Sequence, residues 1–475
     1  MPPIVFQDFP TGRRTPGHHV EFNTRIAGRG LVASTTKVLF IGQRLSTGSV
    51  AELTLVQVTS PADAQAYFGR GSQLARMLVA AFAENRQLNA WAIALDDDGA
   101  GVAATQTVTF SGTASGDVLV KLWIAGELVE LLARDGDAAA DVAGDIDDLL
   151  TTTTAPDLPM TGAAVAAVLT MTARNKGTVG NAIDVHIEFD GDGLSAVVAA
   201  GATGATDPDI QDALDVAFPD DFDFIVSAFG DATALGSLET HLDNLVDPVE
   251  SRGGLGVGAN SDTYSAATTL AANFSTSGFM NVAALPGSPT WAPELAAMYA
   301  AVLASQDDPA MPYNHLPLVG ALVPWDAADR LTAAEVEAAL HAGVSPLVLG
   351  AGTKIRIVRA ITTYVENEAG EEDDALMDVT TSRTLFYARA QLLAMLNLNY
   401  PRAKNTAARR AAIRQDIIAL LYAMQAAEIL EDIDEHAEQV TVETNPSVDT
   451  RIDIFIPTDV VPGLHIAAAL LQLTR

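Results

Sequence analysis

Residues 36–42 read TKVLFIG and residues 91–95 read WAIAL. Each is a short, unbroken apolar run of strand length, the pattern of a strand covered on both faces. Between them, Leu53–Val58 reads as another strand. Ser60-Pro61-Ala62-Asp63 opens a helix, with serine in the capping place and proline at the first helical position. A second helix is expected at Ser72–Asn85. This strand–helix–strand alternation predicts a mainly parallel α/β layer.

The alternation stops at Asp96-Asp97-Asp98-Gly99. Residues 100–200 then carry short strands rich in Thr and Val: Thr105–Phe110, Val118–Ile124, Glu127–Ala133, Ala167–Ala173 and Ala182–Phe189, with one helix near Ala138–Leu150. After the glycine-rich stretch Gly201–Asp207 the first pattern resumes with a helix at Gln211–Ala217, a strand at Phe222–Ser227 and a helix at Ala232–Asn244. A helix at Trp291–Ser305 and a strand at Leu318–Val323 follow. Lys354–Tyr364 alternates like a strand and runs into the acidic loop Glu366–Asp374. Two long helices, Leu376–Asn397 and Thr406–Ile429, precede strands near Gln439–Glu443 and Arg451–Ile456. The expected fold is therefore a multidomain α/β protein whose α/β core (23–98 and 205–350) is interrupted by a small α+β domain (99–204). An arm (1–22) precedes the core, and a C-terminal α/β domain (351–475) ends in a linking segment from about 462 to 475.

Composition narrows the function. The chain has 475 residues, about three domains at roughly 150 each, and is 49% hydrophobic and 18% charged, enough apolar surface for sizeable cores. Lys and Arg number 27 against 60 Asp and Glu, a net charge of −33. A field of that sign disfavours nucleic acid and anionic membranes as partners. With no cysteine, disulfides, thiolate metal sites and thiol catalysis are excluded. No apolar run reaches the roughly 20 residues of a membrane span, and the first residues lack a signal-peptide pattern. A soluble protein of a reducing compartment is expected.

No catalytic, cofactor-binding or metal-ligating set emerges. The histidines (His18, His19, His186, His241, His315, His341, His436, His465) form no ligand pair and are expected in ordinary surface or core roles. Gly254-Leu255-Gly256-Val257-Gly258 lacks dinucleotide spacing and reads as a flexible loop. Asp432, Asp434, His436 and Glu443 fall in calcium-loop register, but Ala437 stands where the turn needs glycine.

Charge placement is more informative. Residues 380–415 hold Arg383, Arg389, Arg402, Lys404, Arg409, Arg410 and Arg414 and no acid, whereas 428–443 hold seven acids and no Lys or Arg. In the second long helix Ile413, Ile417, Leu420 and Met424 form an apolar stripe. Arg409 lies about 40° and Arg410 about 60° from Ile413 on the helical wheel. Cations at a helix N-terminus oppose the macrodipole by roughly 0.3–1 kcal/mol each, so they point to a partner or to the chain's own acidic loops. The ends are apolar too: Ile4, Val5, Phe6 and Phe9 in a proline-broken arm, and Leu464, Ile466, Leu470, Leu471 and Leu473 at the other terminus. Such ends either fold back on their own domain or add as strands to the sheet edge of a neighbouring copy.

A series of landmarks carries a family resemblance. They are Thr15-Pro16-Gly17 with Val20-Glu21; Val38–Leu45 with Gly48; Phe68-Gly69-Arg70-Gly71-Ser72; and Trp91-Ala92-Ile93. Ala173-Arg174-Asn175-Lys176-Gly177 with Gly180-Asn181, Asp223–Ser227, Ile355–Tyr364, and Tyr400-Pro401-Arg402 with Lys404 complete the series. In this order they resemble contractile tail sheath proteins of Mu-like myophages and tailocins. After Arg402 the loop is short and basic, where Mu-like members carry a longer one before the last helix. The resemblance implies stacked hexameric rings around a tail tube, with the C-terminal domain toward the tube and the inserted domain outward. It further implies that strands exchanged between subunits complete a small sheet in each C-terminal domain. Contraction, triggered at the baseplate and without nucleotide hydrolysis, then drives the tube through the target envelope. Implied partners are other copies of the chain and the tube, baseplate and tail terminator proteins, with assembly in the host bacterial cytoplasm and a final place in the virion tail. Arg402, Lys404, Arg409, Arg410 and Arg414 become candidate tube contacts, and the apolar ends candidate inter-subunit arms. No cofactor is implied. A Rossmann-like enzyme with an inserted β domain is the alternative; it would need a phosphate-cradling turn that Gly42-Gln43-Arg44-Leu45 does not supply.

Overall fold

The computed structural model describes residues 36–151 and 157–472. Of these, residues 36–390 and 460–472 belong to one compact unit, and 391–459 to a second.

The first unit is organised by a nine-stranded sheet. Its order is Pro317–Leu318, Ile355–Ile357, Val344–Leu349, Met280–Ala284, Leu255–Asn260, Phe224–Ser227, Lys37–Gln43, Asn89–Leu95, Val56–Val58. The six strands from Val344–Leu349 to Asn89–Leu95 are mutually parallel. Every residue of Phe224–Ser227 and Met280–Ala284 is buried, as are Val38 to Gln43. That is why these segments read as continuous apolar runs instead of alternating ones. Sequence on both sides of 99–204 thus builds one sheet. Helices start where the sequence caps them. The Ser60 hydroxyl accepts from Asp63 N at 3.2 Å, with Pro61 at the first position. Thr332 and Glu335 form a reciprocal capping box. Helices Gln73–Glu84 and Ala292–Leu303 pack together, and Arg76 pairs with Glu294 between them at 8% and 6% exposure.

Several expectations change. Residues 255–260 form a fully fledged central strand, not a flexible loop. A Cβ on Gly256 would meet Met280 Sδ at 2.5 Å and Leu242 Cδ1 at 2.9 Å, so glycine here lets helix Ala232–Val246 sit close to the strand. Residues 354–364 supply only the three-residue strand Ile355–Ile357, and it pairs antiparallel with Val344–Leu349 in the large sheet. A tight turn, with Gly352 and Thr353 at positive φ and Gly350 N donating to Lys354 O at 2.8 Å, makes that hairpin local. The sheet therefore runs past the border expected at 350–351. The strand expected at Leu318–Val323 shrinks to Pro317–Leu318.

Residues 105–200 form two antiparallel sheets. One is ordered Leu194–Ala200, Thr105–Gly112, Val168–Ala173, Met160–Val165, and the other Glu127–Ala133, Val118–Ile124, Val185–Asp190. With helix Ala139–Thr151 they enclose a core including Val108, Val120, Leu122, Ile146 and Leu169. Val102 and Ala205 bridge where the chain enters and leaves.

In the second unit, helix Ala407–Ala426 buries Ile413, Ile417, Leu421 and Met424. Leu421 takes the place expected of Leu420. The helix packs against the strand Thr441–Thr444, which pairs antiparallel with Ile452–Phe455.

His241 on helix Ala232–Val246 is 5% exposed, edge-on to Phe218 at 5.8 Å. Burial first, then Arg252, pushes its imidazole down to about 4 against the pull of Asp215. The unfolded chain, with an ordinary histidine pKa near 6.5, takes up the proton first as pH falls. This contribution is therefore complete above about pH 6.5 and is lost toward pH 4, amounting to about 3 kcal/mol. NMR titration is expected to find His241 neutral at pH 5; titration near 6.5 would contradict this.

Candidate functional site

A parallel sheet of this kind offers a ligand crevice at the carboxyl ends of its strands. Here the crevice beside Lys37–Gln43 is filled by the protein itself. Asn175 Oδ1 accepts from Gln73 N, at the start of helix Gln73–Glu84, at 3.0 Å, and Gln43 N donates to Gln73 Oε1 at 2.9 Å. The Asp97 carboxylate accepts from Gln43 Nε2 at 2.8 Å, Asn175 Nδ2 at 3.0 Å and Lys176 N at 3.1 Å. About 10 Å³ of space remains among these residues, barely a water molecule. A nucleotide has no room where the alternative, enzymatic reading would place it. The residues that resemble a family landmark, Asn175 and Lys176, instead weld the 105–200 lobe to the sheet. In the calcium-loop register that Ala437 already ruled out, Asp434 accepts from Tyr422 Oη at 2.8 Å and Glu443 lies on the strand Thr441–Thr444.

The seven cations of residues 380–415 divide into two groups. Arg383 lies over the Phe224 ring at 5.5 Å and donates to Tyr313 Oη and, at 3.1 Å, to Gln306 O. Arg389 donates to Val246 O at 3.1 Å and to Arg252 O. Arg414 turns back on its own unit: its guanidinium donates to Val440 O at 2.6 Å, Ala437 O at 3.0 Å and Glu438 O at 3.2 Å. Those three are occupied in holding backbone, Arg414 by fixing the chain that enters Thr441–Thr444. The second group faces out. Arg402, Lys404 and Arg409 are exposed and Arg410 half-exposed, and none forms an ion pair with a carboxylate of the described residues. Arg409 sits 5.8 Å from the centre of the Tyr400 ring, and Arg410 donates to Asn405 Oδ1 at 2.8 Å. Asn405 Nδ2 in turn donates to Asp449 O at 2.7 Å, tying the basic turn to the loop between the two strands.

That hairpin is the second feature. Its register runs from Thr441 opposite Phe455 to Thr444 opposite Ile452. Its loop is ordered by Asn445, whose Oδ1 accepts from Ser447 N at 2.9 Å and Val448 N at 3.0 Å and whose Nδ2 donates to Asp453 at 2.7 Å. Among the described residues no third strand joins it. Phe455 is 59% exposed.

The third feature is the C-terminal segment. Residues 461–472 adopt no regular structure. Leu464, Ile466, Leu470 and Leu471 are 79%, 82%, 92% and 97% exposed, far beyond what scattered surface apolar residues explain. The other arm candidates, Ile4, Val5, Phe6, Phe9 and Leu473, lie outside the described residues. Sequence reasoning missed the inward roles of Arg383, Arg389 and Arg414, because their acceptors are main-chain carbonyls that leave no mark on side-chain identity.

Residues 203–363 match the phage tail sheath protein central domain, and residues 371–474 match the phage tail sheath C-terminal domain. The chain is 30% identical, over 487 aligned positions and 99% of both chains, to the Mu-like prophage FluMu tail sheath protein of Haemophilus influenzae. Its fold is similar to crystal structures of two sheath tail proteins. One, from Desulfitobacterium hafniense, has a TM-score of 0.52 at 13% identity over 94% of this chain and 97% of that one. The other, from Listeria innocua, has a TM-score of 0.51 at 15% identity over 92% and 94%. A sequence relationship that runs end to end, joined to a shared mixed α/β fold, places this chain in the phage tail sheath family.

Proposed function

We propose that the chain is the structural subunit of a contractile tail sheath, polymerising as stacked hexameric rings around a tail tube and contracting to drive that tube through the target envelope. The observation that carries this reading is the hairpin Thr441–Thr444/Ile452–Phe455, which no third strand joins among the described residues, in a molecule whose C-terminal residues Leu464, Ile466, Leu470 and Leu471 are exposed. A two-stranded ribbon is marginal alone, and an unpaired edge is a template for added strands. Backbone ladders supply affinity in such additions, while alternate side chains fix the register. In this reading the N-terminal arm of one neighbour and the C-terminal segment of another finish the ribbon. The resulting small sheet is common property of several subunits.

The exposed cations Arg402, Lys404, Arg409 and Arg410 face an acidic tube in this proposal. Exposed ion pairs contribute about 0.2–1 kcal/mol each and weaken with salt. That suits a contact made many times and released together. The lobe 99–204 faces outward, and the Asp97–Asn175 weld keeps it moving with the core as one body. Work comes from relaxation of a metastable polymer, triggered at the baseplate and bounded by the tail terminator. Assembly takes place in the host cytoplasm, and the product resides in the virion tail.

Two outcomes are expected. Deleting residues 1–20 leaves a folded, soluble protein that forms no cylinders in negative-stain micrographs; cylinders of normal length would count against lent strands. Arg409→Glu with Arg410→Glu preserves polymerisation of the subunit alone but reduces decoration of purified tubes, and the residual decoration falls further with salt. Tube decoration equal to the parent at every ionic strength would remove the tube contact.

A further inference from the structure

The C-terminal segment is exposed on both sides of one residue. Leu464 is 79% and Ile466 82% exposed, whereas the side chain of His465 between them is 15% exposed. The Asn314 amide lies 2.9 Å from His465 Nδ1. His465 Nε2 faces Asp378 Oδ1 at 3.6 Å. Asp378 is itself held by Arg359 through two bonds, 2.8 Å from Nε and 2.7 Å from Nη2. Burial, aided by Arg359 and opposed by Asp378, holds the imidazole below the usual histidine range. It therefore acts at neutral pH as an uncharged hydrogen-bonding ring. The backbone is shaped for this seat: a Cβ on Gly463 would come within 2.6 Å of His465 Nε2 and 2.9 Å of Pro312 Cγ.

The seat is joined to the large sheet. Next to Asn314, His315 N donates to Ile357 O at 2.8 Å, and Ile357 N donates to Leu316 O at 3.0 Å. Arg359 follows the strand Ile355–Ile357 by two residues. Tension on the segment at His465 would thus pass into the edge of the nine-stranded sheet.

We propose that His465 is the positioning residue that fastens the C-terminal segment to its own subunit, so that residues 461–465 stay with the donor and the chain from Ile466 onward is lent to a second copy. This rests on the strand-lending reading above. A lent segment works only if its root is fixed, because a short tether raises the local concentration of the strand at its acceptor. Fastening at His465 leaves residues 466–475, a reach of roughly 33 Å when extended, and stops the apolar tail from sliding back along its own surface.

The test uses the full-length protein with three variants: His465→Ala, His465→Gln, and a truncation that removes residues 466–475. Backbone NMR relaxation of the unassembled subunit is expected to show residues 461–465 ordered in the parent and His465→Gln and mobile in His465→Ala, with the rest of the molecule unchanged. The protein concentration needed for polymerisation is expected to rise roughly three- to tenfold in His465→Ala, the loss of one hydrogen bond, and to recover in His465→Gln. Parent residues 461–465 as mobile as in His465→Ala, or an unchanged polymerisation threshold, would overturn the fastening. If the truncation also polymerises normally, strand lending itself fails; if only the truncation is defective, the fastening alone is wrong.

Discussion

Four residues of Thr441–Thr444 pair with four of Ile452–Phe455, and among the described residues no further strand pairs with the outer backbone groups of either. Buried or exposed, those N–H and C=O groups need partners, and a ribbon of two short strands buries too little to stand firmly by itself. Side chains of the second unit hold this ribbon still. Arg414 grips the carbonyls that lead into it, Asn445 shapes its loop, and Asn405 ties that loop to the helix start. Such care for an unfinished sheet makes sense if completion comes from outside the molecule. The segment beyond residue 460 has the matching defect: apolar side chains without a surface to cover them.

Charge sets the terms on which copies could meet. Each chain carries −33, so subunits repel one another, and packing of bare surfaces would have to overcome that field. Backbone pairing is indifferent to net charge, which favours strand lending as the cohesive element. The outward cations Arg402, Lys404, Arg409 and Arg410 form a local exception to the overall field, suited to a second, acidic surface. Elsewhere the design favours rigidity. Asp97 collects three donors from two distant parts of the chain, and Arg76 with Glu294 pins two packed helices together.

Much of this was legible in the sequence. Three of the six parallel strands, Lys37–Gln43, Asn89–Leu95 and Phe224–Ser227, announced themselves as apolar runs because both of their faces are covered, and Ser60 marked a helix start by local chemistry. Gly256 and Gly258 misled, since glycine within a strand looks like a loop until the helix pressed against it is known. Residues 354–364 misled for another reason: alternation says that a strand exists, not which sheet takes it, and the turn at 350–354 decided that locally. The basic window was visible as charge, but its division into inward and outward groups was not. Arg383, Arg389 and Arg414 are held largely by carbonyl oxygens, which every residue possesses. His465 was set aside as ordinary because its partners, Asn314 and Asp378, are distant in sequence and belong to no motif.

Hydrogen exchange of the two strands, compared between the unassembled subunit and the polymer, measures the central claim directly. If neighbours complete the ribbon, the outward-facing amides of Thr441–Thr444 and Ile452–Phe455 gain strong protection on polymerisation, together with amides beyond Ile466. Equal exchange of these amides in both states would show that the ribbon stays two-stranded in the assembly and would contradict the account.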